Sequence, residues 1–266
     1  MMGVRTERPR AAHRLVAHRG FPHSYPENSL AGVRAALEAG TRFVEIDVQL
    51  SHDGLPMVIH DATLTRVSGK SDDDTDAVGR LDHQTLTART IGEPERFGDA
   101  YADQCVPTLS EMLALIDRYP DVTMFIELKR ESLVRFGRNA VVEPVLAEMR
   151  RAATHCVAIS FDAAALELIR ARDDAAIGLG IKPWNAAARR DAERLAPEYL
   201  FVRNDRIPAG DNPFWPGDWQ WVIYVVDDAD AARALFSRGA ALIETDRIGQ
   251  MIPALAEAAA DDENPA

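Results

Sequence analysis

The strongest constraint in this chain is its rhythm. Short apolar runs rich in β-branched and aromatic residues recur from end to end, and segments with helical periodicity separate most of them. Strands are predicted to start near residues 15, 43, 123, 156, 176, 199, 219 and 241. Helices are predicted from Asn28 to Ala39, where Leu30, Val33 and Leu37 share a face and Gly40 is the stop, and over Asp162–Ala171 and Asp228–Ser237. Thr108 and Glu111 make a capping box ahead of the apolar face Leu109, Met112, Leu113 and Ile116. The rhythm breaks once: Ser51-His52-Asp53-Gly54 is turn chemistry and Pro56 to His60 is extended, which adds a hairpin to the second strand. Residues 61–108 then carry a polar run, Ser71 to Asp76, with little periodicity, and read as an insertion or lid. Eight alternating units in 266 residues predict a closed parallel (β/α)8 barrel, with an open doubly wound sheet as the alternative. No glycine-rich phosphate loop follows the first strand, which counts against a nucleotide-binding version.

Acidic residues outnumber basic ones 42 to 30, a net charge of −12, which excludes a general role in coating nucleic acid and speaks against stable membrane association. Cys105 and Cys156 are too few for a disulfide scaffold, and no apolar stretch reaches membrane-span or signal-peptide length, so a cytoplasmic protein is expected. The expected organisation is a disordered basic tail over 1–14, one barrel domain over 15–255 with its insertion at 61–108, and a flexible acidic tail over 256–266. Only Lys70, Lys129 and Lys182 are lysines, against 27 arginines, so the few lysines stand out from the arginine background.

In such a barrel, function concentrates at the carboxyl ends of the strands. The first strand ends in His18-Arg19-Gly20. In the second, alternation turns Glu45 and Asp47 to one side and Val44, Ile46 and Val48 to the other. The hairpin ends in His60-Asp61, and the next barrel strand ends in Glu127-Leu128-Lys129. Glu45, Asp47 and Glu127 place three negative charges in one mouth, and pairing with Arg19 and Lys129 leaves that set unbalanced without a cation. A hard divalent ion with oxygen ligands, Ca2+ or Mg2+, suits such carboxylates better than zinc. His18 and His60, beside the acids, are the expected proton carriers, while His13, His23, His52, His83 and His155 take structural roles. Arg19 and Lys129 offer a forked and a point cation to a phosphate. Asn28 is expected to cap the first helix.

The set Ala17-His18-Arg19-Gly20, Pro26-Glu27-Asn28-Ser29, Glu45-Ile46-Asp47-Val48, Asp53-Gly54, Val58-Ile59-His60-Asp61, Val106-Pro107-Thr108-Leu109 and Glu127-Leu128-Lys129 resembles the glycerophosphodiester phosphodiesterase family. The likeness continues through Ser160-Phe161 to Thr245-Asp246. It implies a TIM barrel with a short insertion after the hairpin, one divalent ion on Glu45, Asp47 and Glu127, and His18 and His60 as acid and base. Glu27 and Asp61 would support them from behind. The implied substrates are small glycerophosphodiesters, cut to glycerol 3-phosphate and an alcohol. The chain departs from the family near its end, where Tyr224-Val225-Val226-Asp227 stands in place of an aromatic followed by Thr-Val-Asn. Tyr224 and Asp227 are therefore expected to touch substrate, and acids at the mouth, Asp227 included, would favour a cationic head group such as choline.

A lysophospholipase D-type lipid enzyme is the nearest rival. It would need an apolar or basic rim, whereas the expected lid carries Asp72, Asp73, Asp74 and Asp76. A non-catalytic phosphodiester-binding protein is the other rival, and the intact set of histidines, acids and cations speaks against it. Composition leaves the oligomeric state unknown.

Overall fold

The computed structural model describes residues 13–69, 77–210 and 214–262. Its strands are β1 (Leu15–Ala17), β2 (Phe43–Leu50), β3 (Pro56–Val58), β4 (Thr123–Leu128), β5 (His155–Ser160), β6 (Ala176–Ile181), β7 (Tyr199–Arg203), β8 (Gln220–Tyr224) and β9 (Leu242–Thr245). All except β3 are parallel, and each lies beside the next. β1 pairs on both sides, Val16 standing opposite Phe43 of β2 and Glu244 of β9, which closes the ring and rules out the open sheet. β3 runs antiparallel along the end of β2, Val48 facing Val58.

Side-chain alternation divides the apolar residues into two cores. Val44, Ile46 and Val48 point outward to the helices, whereas Val16, Phe125, Val157, Phe201, Val222 and Leu242 fill the barrel. The Phe125 ring packs edge-on against Tyr199 at 5.0 Å and Phe201 at 5.2 Å. It is fully buried, so truncating it to alanine costs about 3–5 kcal/mol.

Helix α1 (Leu30–Glu38) starts later than expected, because Ser29 and not Asn28 caps it, its Oγ accepting from Gly32 N at 2.9 Å. Asn28 sits outside the helix at φ 54° with its amide engaged elsewhere. Gly20 is needed here for closeness as well as for its φ of 88°, since a Cβ would lie 2.8 Å from the backbone of Gly32. The insertion holds α2 (Thr65–Ser68), α3 (His83–Thr87) and α4 (Pro94–Phe97), and after it come α5 (Leu109–Ile116), α6 (Arg130–Phe136), α7 (Arg138–Arg151), α8 (Ala163–Arg170), α9 (Ala186–Leu195), α10 (Ala229–Ser237) and α11 (Ile248–Asp262). The capping box of α5 forms as expected, and Asp162 and Asp228 cap α8 and α10.

The packing of the insertion and the two ends of the barrel differ from expectation. The described part of the insertion is not polar throughout: Leu64, Val67, Val78, Leu86 and Ile91 make a separate small core with Met57 and Val106. Of these residues α2 supplies only Val67, α3 only Leu86 and α4 none, so no window shows a period. The aspartates expected to make the lid polar, Asp72, Asp73, Asp74 and Asp76, lie outside the described residues. At the C-terminus α11 passes the expected boundary at 255 and runs to Asp262, as its alanine content favours. At the other end Arg14, placed in a disordered tail, donates to Ala240 O at 2.9 Å and stacks on Phe236, while residues 1–12 lie outside the description. Among the described residues no helix is long and apolar enough to cross a membrane.

Candidate active site

Above the apolar filling, the same inward faces turn charged. Glu45 and Asp47 of β2, Glu127 of β4 and Glu244 of β9 meet at the carboxyl end of the barrel, with Asp47 in register with Glu127. Ligand atoms of Glu45, Asp47 and Glu127 lie within 4.8 Å of one another, and so do those of His18, Glu45 and Glu244. Lys129 Nζ is 3.1 Å from Asp47 Oδ1 and 2.9 Å from Glu127 Oε1. Arg19 Nη1 donates to Glu27 Oε1 at 3.1 Å, and its Nε approaches Asp47 Oδ2 at 3.1 Å by proximity rather than as an aligned hydrogen bond. The Arg19 backbone N–H donates to Glu45 Oε2 at 3.0 Å. Asn28 grips Asp47 twice, Nδ2 donating to Oδ2 at 2.9 Å and Oδ1 accepting from the Asp47 N–H at 3.1 Å. Arg19 and Asn28 both hold positive φ, a cost the surrounding hydrogen bonds sustain.

The electrostatics of the four acids are unequal. Burial alone would raise Asp47, but Lys129 and Arg19 outweigh it and hold the carboxyl well below the usual range. Burial, with Asp47, Glu244 and Glu127 nearby, drives Glu45 well above its ordinary value. Glu127 is raised by burial against the opposing pull of Lys129, and Glu244 is pushed up by burial to about 7. The two local cations therefore satisfy Asp47 and leave Glu45 and Glu127 short of positive charge. An all-oxygen, closely spaced, under-compensated donor set fits a hard divalent cation.

His18 and His60 line one cavity of about 550 Å³ together with Glu45, Glu127, Lys129 and Arg19. Each imidazole is fixed through Nδ1, His18 to Asp246 Oδ1 and His60 to Asp61 Oδ1, both at 2.6 Å, which leaves Nε2 for a ligand. Burial would lower His18, but the hydrogen bond to Asp246 and the charge of Glu244 prevail and raise it. The remaining described histidines lie elsewhere, His83 bonding Asp53 at the hairpin turn.

The insertion contributes from behind the site. Arg66 of α2 binds Glu27 with both terminal nitrogens, at 2.7 and 2.8 Å, and donates from Nε to Asp61 Oδ2 at 2.7 Å. One guanidinium thus joins the carboxylate behind Arg19 to the carboxylate behind His60. Glu93 accepts from Glu27 N at 2.8 Å and pairs with Arg96 at 2.6 Å, clamping the loop between β1 and α1.

The structure brings together His18, Arg19, Glu45, Asp47, His60, Glu127, Lys129 and Tyr224, with Glu27 and Asp61 behind them. Asp227 is a correction: it is exposed and does not line the cavity, because its carboxylate is engaged elsewhere, accepting from Thr245 Oγ1 at 2.7 Å and Asp246 N at 2.9 Å. Its carboxylate braces the loop that carries Asp246. Sequence reasoning missed Glu244, though a glutamate inside an apolar strand is the same signal that flagged Glu45. It also missed Arg66, which does not stand out from a surface residue in sequence, and gave no site role to Asp246 or to the grip of Asn28, although both lie in the motifs that carry the resemblance.

The profile of the glycerophosphoryl diester phosphodiesterase family matches residues 18–250. The glycerophosphodiester phosphodiesterase of Caldanaerobacter subterraneus subsp. tengcongensis is 30% identical over 195 residues, 71% of this chain and 76% of that protein. Glycerophosphodiester phosphodiesterase 1 of Homo sapiens is 28% identical over 206 residues, 74% of this chain and 59% of that protein. The chain spans little more than half the length of the mammalian relatives, 54% for the Mus musculus protein. Among solved structures, a phosphodiesterase of Oleispira antarctica in complex with the product sn-glycerol-3-phosphate shares the fold, with a TM-score of 0.78 and 23% identity over 91% of this chain and 96% of that one.

Proposed function

The chain belongs to the glycerophosphoryl diester phosphodiesterase family, and from that premise we propose that it hydrolyses small glycerophosphodiesters to glycerol 3-phosphate and an alcohol with the help of one divalent cation, Ca2+ or Mg2+. The observation that carries this reading is the meeting of His18 and His60 in one cavity with the cluster of Glu45, Asp47 and Glu127. The three carboxylates would hold the cation, which when bound supplies positive charge against the phosphate oxygens. Arg19 and Lys129 line the same wall and orient the phosphate while neutralising charge that builds on it. One imidazole removes, at its Nε2, a proton from the attacking oxygen, either water or the neighbouring glycerol hydroxyl whose cyclic phosphate water then opens, and the other delivers a proton to the departing alcohol oxygen as its bond to phosphorus breaks. Asp61 and Asp246 hold the two rings in the tautomer that this exchange needs. Tyr224 contributes a wall of the cavity and contacts the substrate there. The bound sn-glycerol-3-phosphate of the Oleispira antarctica phosphodiesterase supports the same product class for this chain.

The test is turnover of a panel of glycerophosphodiesters after chelation and after adding back Ca2+ or Mg2+. Release of glycerol 3-phosphate that chelator abolishes and metal restores is expected. No turnover of any diester with either metal refutes the reading.

A further inference from the structure

Beyond the acidic centre the cavity continues along the ends of β5, β6 and β7, and there the wall changes character. Phe161, just past β5, faces Tyr224 edge-on at 6.4 Å, and Lys182 Nζ, just past β6, stands over the Phe161 ring 4.9 Å from its centre. Gly180 makes room for this ring, since a Cβ there would lie 2.5 Å from it. Arg130, at the start of α6, lines the cavity as well. Acids along this wall are mostly matched already. Asp162 is held by both Nε and Nη2 of Arg138 at 2.8 Å, and Arg203 pairs with Asp205. Exposed Glu131 lines the cavity with Arg130 and Lys182, neither of which forms an ion pair among the described residues, so along this wall two cations stand against one acid. Two of the three lysines in a chain with 27 arginines thus open onto one cavity.

An aromatic face attracts a cation, which is how choline is usually held. Here Lys182 already covers that face, and a quaternary ammonium entering the cavity meets a like charge. A carboxylate or a second phosphate in the same place gains from Lys182 and Arg130. We propose that this wall binds the group esterified to glycerol phosphate and selects leaving groups bearing an anionic substituent over choline-like cations, with Lys182 and Arg130 as the specificity residues. The inference rests on the hydrolytic reading above and reverses the head-group preference expected from an inward-facing Asp227.

Glycerophosphoserine and glycerophosphoethanolamine differ by one carboxylate and give the cleanest comparison. The serine diester is expected to show kcat/KM about five- to tenfold above the ethanolamine diester at low salt, with glycerophosphocholine lowest and the ratio shrinking as salt rises. Lys182→Gln and Arg130→Gln each lower the ratio, and the double variant brings it close to one, whereas Lys182→Arg preserves it. Both residues are exposed, so these variants keep the fold. The same two diesters titrated calorimetrically into His60→Ala protein should show the same order of affinity. A wild-type ratio at or below one, or a ratio unchanged in the double variant, overturns the inference. Absence of all turnover refutes the reaction alone, because the calorimetric order still decides the specificity of the wall.

Discussion

Replacing Arg66 with methionine keeps the stem of the side chain and removes its fork, which severs three hydrogen bonds at once. Glu27, with its side chain only 8% exposed, would then keep one cation partner, Arg19 at 3.1 Å. Arg66 itself is 47% exposed, so solvent screens its bonds and the figure for buried charged pairs has to be reduced. At about 0.5–1 kcal/mol for each of the three, the loss of stability is about 2 kcal/mol, readable as a lowered urea midpoint. Activity should fall further than stability explains. Asp61 loses the cation that holds it against His60, and Glu27 loses the clamp that aims Arg19, so kcat/KM is expected to drop at least about tenfold in fully folded protein. The sign of the pH effect follows from charge. Asp61 sits well below its ordinary value through its bonds to His60 and Arg66, and removing a neighbouring cation favours the protonated form, so the acid limb of the pH profile moves to higher pH. A folded variant with kcat/KM within about twofold of wild type and an unmoved acid limb would show that Arg66 is only a surface staple.

Glu45→Gln and Glu127→Gln should each abolish turnover mainly by weakening Ca2+ or Mg2+ binding, and unchanged metal affinity by calorimetry in both variants would exclude the proposed cation site. His18→Ala and His60→Ala should keep metal affinity and lose about a hundredfold or more in kcat, each losing one limb of the pH profile; near-normal turnover of a substrate with a poor leaving group would remove that histidine from the mechanism. Because burial pushes Glu45 and Glu127 above their ordinary values, with Asp47 nearby adding to both, cation binding should release protons and tighten as pH rises, and a dissociation constant that does not fall with rising pH would contradict this. Gly180→Ala must push aside the Phe161 ring 2.5 Å away, costing about 1–3 kcal/mol, with thermal unfolding as the measure.

Local chemistry was enough for much of this protein. The two-residue period of a strand turns Glu45 and Asp47 to one side wherever that strand ends up, so their inward placement was readable before any neighbour was known. The capping box at Thr108 and Glu111 and the caps Asp162 and Asp228 are equally local, each reaching only three residues along the chain. Tertiary structure decided the rest, because a periodic pattern assigns a residue to a face and says nothing of which strand lies beside it or where a loop travels. Closure depends on β1 meeting β9, and that single pairing sets Glu244 next to His18 and carries Asp246 to within 2.6 Å of its ring across 228 residues of sequence. Asp227 has a residue type suited to the mouth, yet its carboxylate is committed to Thr245 and Asp246, partners 18 and 19 residues further along the chain. Arg66 lies in a segment without period and becomes a link between Glu27 and Asp61 only because the insertion has its own core and folds back on the loop after β1. Lys182 and Phe161, 21 positions apart on successive strand ends, meet because parallel neighbours in a closed barrel bring their carboxyl ends together.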